Sequence, residues 1–274
     1  MTDYNVKRDH WGRPLLIPRD GTAREPYTRA STLSKALADN SGLMNWQAAM
    51  VALGIVKERS LAARIASLLS KDGDAAYSRN KTALRDITER AKAAAGAGRP
   101  ADSGTAFHEL AEVIDGGRWP EYMPPEIDGP MRAYAEAMQR AGVKVLDKEP
   151  FLVVDEIRCA GSMDRLISLD GMVMAADIKT GTNNSRFPLS VTCQTAIYAH
   201  GERYNVEDDT RSPLWPGGVS LDTALLIEIP REPNKRGKYE CGLYKLPIDL
   251  GWRAVQLALD VREMRKMPKL ERID

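Results

Sequence analysis

Asp164-Arg165-Leu166-Ile167-Ser168-Leu169-Asp170-Gly171-Met172-Val173-Met174-Ala175-Ala176-Asp177-Ile178-Lys179 is the stretch that decides the fold. Asp-Gly between two apolar runs is the strongest short hairpin signal, usually a two-residue type I′ turn. With Asp170 and Gly171 as the loop, Leu169 faces Met172, and the same register carries Asp164 opposite Asp177. Two carboxylates facing each other across a strand pair stand about 5 Å apart and repel. A shared divalent cation would resolve that repulsion. Lys179, two residues past Asp177, shares its sheet face, as do Leu166, Val173 and Ala175. Met163, Ile167, Met172, Met174, Ala176 and Ile178 take the other face. A strand apolar on both sides is buried centrally in a sheet, and charges ending such a strand call for a partner. Two acids and a lysine at the hairpin mouth therefore point to metal-assisted attack on a phosphodiester. The competing expectation is a solvated hairpin end carrying ordinary surface charge.

Working outward, the spacing predicts strands over 144–154, 157–169 and 172–179, a helix near 188–201, strands near 221–229 and 239–247, and a closing helix over 250–266 stopped by Pro268. Upstream, residues 1–28 read as irregular. Helical patterns follow at 31–39, 42–54, 57–69 and 78–95, then near 103–115, where Ser103 is a candidate cap, and 126–141. The run Ala93-Ala94-Ala95-Gly96-Ala97-Gly98-Arg99-Pro100 reads as a joint. The expected architecture is α/β (α+β). A mainly helical N-terminal part spans 1–98, ordered by Leu33, Leu37, Leu43, Trp46, Met50 and Leu53, and a core with one small mixed sheet flanked by helices spans 99–274.

With 274 residues, 43% of them hydrophobic, the chain can bury a sizeable core. It has no apolar run of the roughly 18–20 residues that span a bilayer, and its polar start lacks a secretory core. The expectation is a cytoplasmic protein without a membrane partner. Cys159, Cys193 and Cys241 are too scattered for a disulfide framework or zinc knuckle. The net charge of +1 hides an asymmetry: +7 over residues 1–100 and −6 over the remainder. A basic half beside an acidic half suits a phosphate-binding surface next to a carboxylate metal site.

Three constellations carry chemistry. In Gly104-Thr105-Ala106-Phe107-His108-Glu109-Leu110-Ala111-Glu112, His108 and Glu112 are four apart on one helix face, and imidazole is a common transition-metal ligand. In Gly161-Ser162-Met163-Asp164, glycine permits close backbone approach ahead of the first acid, and Asp177-Ile178-Lys179-Thr180-Gly181 supplies the second acid with its lysine. In Gln194-Thr195-Ala196-Ile197-Tyr198, Gln194 and Tyr198 read as an outward pair able to bond phosphates or bases, with Val191 and Ile197 inward.

In that order, with the acid Glu149 near a strand start, these motifs resemble the PD-(D/E)XK nuclease superfamily, and within it the RecB-like exonucleases, including the branch found with CRISPR adaptation modules and in phages. The match covers about residues 100–200. The resemblance implies a restriction-endonuclease-like core and a Mg²⁺- or Mn²⁺-dependent deoxyribonuclease that hydrolyses phosphodiester bonds from DNA ends. It implies metal ligation by His108, Asp164, Asp177 and the Ile178 carbonyl, activation of water by Lys179, orientation of DNA or of the lysine by Gln194 and Tyr198, and support from Glu149 and Glu112. Many relatives hold a [4Fe–4S] cluster through four cysteines, one before the core and three after it. Here residues 1–158 have none, so no iron–sulfur cluster is expected. The implied partners are DNA, bound largely without sequence preference, and recombination, repair or replication proteins of a bacterium or phage-infected host. The alternatives are a structure-specific endonuclease on the same core and a non-cleaving DNA-binding recombination accessory.

Overall fold

The computed structural model describes residues 6–97, 99–181 and 183–273, without the side chains of 99–105, so the capping expected of Ser103 lies outside the described residues. The chain divides into two compact units, one formed by 1–38 with 107–274 and the other by 39–106. The boundary expected after residue 98 therefore moves, and residues 1–38 belong with the larger unit.

That unit begins with β1 (Leu15–Leu16), β2 (Glu25–Pro26), β3 (Thr28–Arg29) and the single turn α1 (Ala30–Leu33). The 39–106 unit follows with α2 (Ser41–Lys57), α3 (Arg59–Asp72), α4 (Ala76–Arg79) and α5 (Lys81–Ala94). The helix expected over 78–95 breaks at Asn80, whose backbone leaves the helical region (φ −123°, ψ 30°) while its side chain bonds Asp72 and the Ala76 carbonyl. The centre of this unit is Leu61, Ile87 and Ala91. Leu43, Trp46 and Leu53, expected to order it, are exposed, while Leu33 and Leu37 pack into the larger unit.

Helix α6 (Arg99–Asp115) leads to α7 (Pro125–Ala141), which starts on a proline with Glu126 and Asp128 in its first turn, both favourable at a helix N-terminus. Then come β4 (Lys144–Lys148), β5 (Phe151–Val154), β6 (Cys159–Ser162), β7 (Arg165–Leu169), β8 (Met172–Thr180), α8 (Leu189–Ala199), β9 (Glu202–Tyr204), β10 (Arg211–Ser212), β11 (Thr223–Ile229), β12 (Gly242–Pro247) and α9 (Ile248–Met264). Among the described residues no helix is long and apolar enough to cross a membrane.

The fold is α+β, but in place of the single small sheet expected from the sequence the described residues form two five-stranded mixed sheets, besides the two-stranded β1–β2 ladder. Their orders are β12-β11-β8-β7-β4 and β10-β9-β5-β6-β3. The strands expected over 144–154 and 157–169 each break and change sheet. The first breaks at Glu149-Pro150, where Glu149 has φ 51° and Pro150 has no N–H to give a ladder. The second breaks at Met163-Asp164. The two breaks bond to each other, Met163 N–H donating to the Pro150 carbonyl (3.1 Å) and Glu149 N–H to the Asp164 carbonyl (3.2 Å). One bent strand pair thus serves both sheets.

The first sheet is covered on both faces. Leu166 and Ala175 meet α8 and α9 residues such as Val191, Ala196 and Val255. Ile167, Met174, Ala176 and Ile178 meet Phe107 and Ala111 of α6 and Met131, Tyr134 and Met138 of α7. Met163, expected with Ile167, packs instead with Leu166, because the break interrupts the alternation.

Candidate active site

The hairpin forms as the Asp-Gly signal predicts. Leu169 pairs with Met172, and Asp170 and Gly171 both have positive φ (51° and 80°), as a type I′ turn requires. The ladder continues to Arg165–Ala176 and stops there, one pair short of Asp164 and Asp177. The directly opposed acid pair is therefore not a ladder pair. Asp164 sits in the bend, and its Oδ2 accepts from Ile178 N–H at 2.8 Å, so it caps the backbone between Asp177 and Lys179.

Asp177 lies inside β8, between β7 and the parallel strand β11, and its side chain is 0% exposed. Both its carboxylate oxygens are buried and accept no hydrogen bond of ordinary geometry; the Lys179 ammonium lies against Oδ2 as an ion pair. Burial pushes the Asp177 carboxyl up to about 7, against the pull of Lys179 and with a further push from Asp164. Lys179 is raised too: burial works against its charge, and the two aspartates outweigh it. From α6, His108 Nδ1 reaches 3.7 Å from Asp164 Oδ1. One turn on, Glu112 lies beside Glu149, whose carboxyl rises to about 7 through burial and that acidic neighbour.

The structure thus brings His108 to Asp164, Asp164 to the Ile178 backbone, Lys179 to Asp177 and Glu112 to Glu149. It does not close the expected three-ligand set: among the described residues no three His, Cys, Asp or Glu side chains converge tightly enough to hold a metal. The donor chemistry nevertheless fits a hard divalent cation, which prefers carboxylate oxygen. A buried carboxylate starved of hydrogen bonds requires a positive partner, and the Lys179 ammonium holds that position.

Tyr198, expected to face outward, is instead buried. Helix α8 is buried almost all round, and Tyr198 is 3% exposed in the same cluster as Val191 and Ile197. Its hydroxyl accepts from Gln194 Nε2 at 3.1 Å, and burial, then Asp164, holds its pKa well above the usual value. Gly161 makes room for it: a Cβ there would meet the Tyr198 hydroxyl at 3.3 Å and Ala30 Cβ at 3.4 Å.

Sequence reasoning missed a network behind the site. Arg165, 0% exposed, donates from Nε to Asp115 Oδ2 (2.6 Å) and from Nη1 to the Asp164 carbonyl (2.7 Å), and Tyr134 donates to Asp115 Oδ1 (2.6 Å). These bonds tie α6 and α7 to the start of β7 and fix the bend that carries Asp164. The available signal was Asp115, seven residues past His108 and so on the same helix face.

No protein-family model matches the chain, and no curated protein matches it in sequence.

Proposed function

We propose that the chain is a divalent-cation-dependent deoxyribonuclease of the RecB-like PD-(D/E)XK type, acting on DNA ends in the cytoplasm of a bacterium or an infected host. The observation that carries this reading is the Asp177 carboxylate, wholly buried, with the Lys179 ammonium against Oδ2, no partner at Oδ1 among the described residues, and Asp164 bonded to the intervening Ile178 amide. A buried acid that serves only the fold is satisfied by donors; this one is held ready for a cation.

His108, Asp164, Asp177 and the Ile178 carbonyl would hold Mg²⁺ or Mn²⁺, the imidazole favouring Mn²⁺. When bound, the cation supplies Lewis acidity at a phosphoryl oxygen and lowers the pKa of water. Lys179, one-third exposed, carries positive charge at the mouth of the site, where a developing phosphorane would need it. Asp164 fixes the backbone that joins Asp177 to Lys179. Glu149, its carboxyl raised by burial and by Glu112, flanks the bend, and Tyr198 stays protonated.

Matched linear and circular single-stranded DNA incubated with Mn²⁺ or Mg²⁺ tests the reading. Cation-dependent loss of the linear form with the circle spared is the expected result. Equal cutting of both favours the endonuclease, and no cutting of either favours the non-cleaving accessory.

A further inference from the structure

Helix α2 carries an apolar face that its own unit leaves uncovered. The buried cluster of the 39–106 unit is small: Leu61, Ile87 and Ala91, with Val51 and Ile55 of α2 packed against it. Gly54, the buried residue of α2, lies so close to α5 that a Cβ there would run into the Ala91 carbonyl. Val51, Gly54 and Ile55 are therefore the inner side of the helix. By helical spacing Trp46, Ala49, Leu53 and Val56 lie on the opposite side. All four are exposed, Trp46 to 44%, Leu53 to 55% and Val56 to 75%. Their spacing of three, four and three residues is the a/d seam of a coiled coil. A surface helix normally turns charged residues to water. Helix α2 has no charged residue before Lys57, in a chain that is 28% charged. Its outer side has the composition of a contact and not of a solvated face.

We infer that α2 pairs with α2 of a second copy of this chain, the two helices running antiparallel. Size selects that occupant first. In an antiparallel pair, a positions face d positions. Trp46 then faces Val56 of the second copy, and Leu53 faces Ala49 of the second copy, so each layer sets a large side chain against a smaller one. A parallel pair would set Trp46 against Trp46 and Ala49 against Ala49, one layer overfilled and the next hollow. Charge selects it next. The seam offers a charged partner nothing to pair with, whereas two copies bring no like charges together, since Lys57 falls beside Asn45 of the second copy. The antiparallel helix dipoles also attract. Area sets the strength. The four side chains expose on the order of 400 Å² per copy, about 800 Å² for the pair, below the roughly 1,200 Å² of a stable interface. The pairing is thus reversible, with a Kd on the order of tens of micromolar. It does not depend on the nuclease reading, and neither DNA nor a cation enters its test.

The test is sedimentation velocity of the full chain over a concentration series that brackets this Kd, from about 1 µM to about 300 µM. Wild type should pass from monomer to dimer across the series. Leu53→Glu places a charge in both layers that hold Leu53 and should weaken the dimer at least about tenfold. Ala49→Leu overfills the same layers and should weaken it too, although it adds apolar surface. Both positions are exposed in the single chain, so circular dichroism of each variant should match wild type. Orientation is read by cross-linking under oxidised glutathione, with the native Cys159, Cys193 and Cys241 buried. An equal mixture of Ala49→Cys and Leu53→Cys chains should give the mixed disulfide dimer in preference to either variant alone. A chain that stays monomeric at every concentration would overturn the inference, since the face would then need no second copy. A dimer that Leu53→Glu leaves at wild-type strength would overturn it as well, because its contact would lie elsewhere. Ala49→Cys chains that cross-link to one another faster than the mixture does would overturn the antiparallel register.

Discussion

Two buried carboxylates sit on opposite sides of the same strand pair and are treated in opposite ways. Asp115, behind the sheet, receives Arg165 Nε and the Tyr134 hydroxyl, both at 2.6 Å, and its side chain is 4% exposed. Asp177, in front, is as deeply buried and receives no hydrogen bond of ordinary geometry, only the ammonium of Lys179. Burying a charge is tolerable where donors replace water. The rear acid has a donor at each oxygen, and the front acid has one ammonium at Oδ2 and no partner at Oδ1 among the described residues, so the first is read as part of the scaffold and the second as part of the chemistry.

If that contrast is right, the two acids should fail in different ways when removed. The largest effect is expected at the front. Asp177→Ala or Lys179→Ala should lower cleavage by about a thousandfold or more, while DNA binding, spread over many phosphate contacts, stays within a few-fold of wild type. Near-normal turnover of either purified variant would remove this site from consideration. At the rear, Asp115→Ala leaves the Arg165 guanidinium buried without its counter-ion, a loss of about 3–5 kcal/mol. Its melting temperature should fall by roughly ten degrees; an unchanged melting curve would erase the distinction between the two acids.

The smallest effect sharpens the contrast through pH. Asp177 holds its proton in the folded chain up to about 7, against an ordinary value of 3.8, because burial penalises its charge. Folding therefore takes up a proton between those values. The contribution from Asp177 is neutral below about pH 4, becomes steadily more unfavourable as pH rises to about 7, and is constant beyond. Asp177→Asn removes that titration. The variant should match wild type near pH 4 and melt a few degrees higher at pH 8. Parallel pH–melting curves for the two proteins would show that Asp177 is compensated after all.

Much of the hairpin was legible because its information is local. Asp170-Gly171 fixed the turn, the turn fixed the register to Arg165–Ala176, and alternation placed Leu166 and Ala175 on one face and Ile167 and Met174 on the other. The alternation failed at Met163, where the chain changes sheet, although Pro150 marked the opposing break. The outward assignment of Tyr198 failed because α8 is buried on nearly every side, so its polar residues do not mark a solvent face. Strand β3 is two residues long and joins its sheet by parallel pairing to β6, far beyond any periodicity a sequence can show. The Arg165–Asp115–Tyr134 network joins residues up to 50 positions apart, and no spacing rule reaches that far.

The mutual break at Glu149-Pro150 and Met163-Asp164 also dictates where the chain can change length. Between those points β5 and β6 run in fixed antiparallel register, Phe151 against Ser162 through Val154 against Cys159. One residue added or lost inside either strand would turn its side chains to the opposite face and pull Asp164 away from Ile178. The Asp155–Arg158 tip beyond the ladder carries no such constraint from register. Across this segment, the strands that lead into the bend must keep their length.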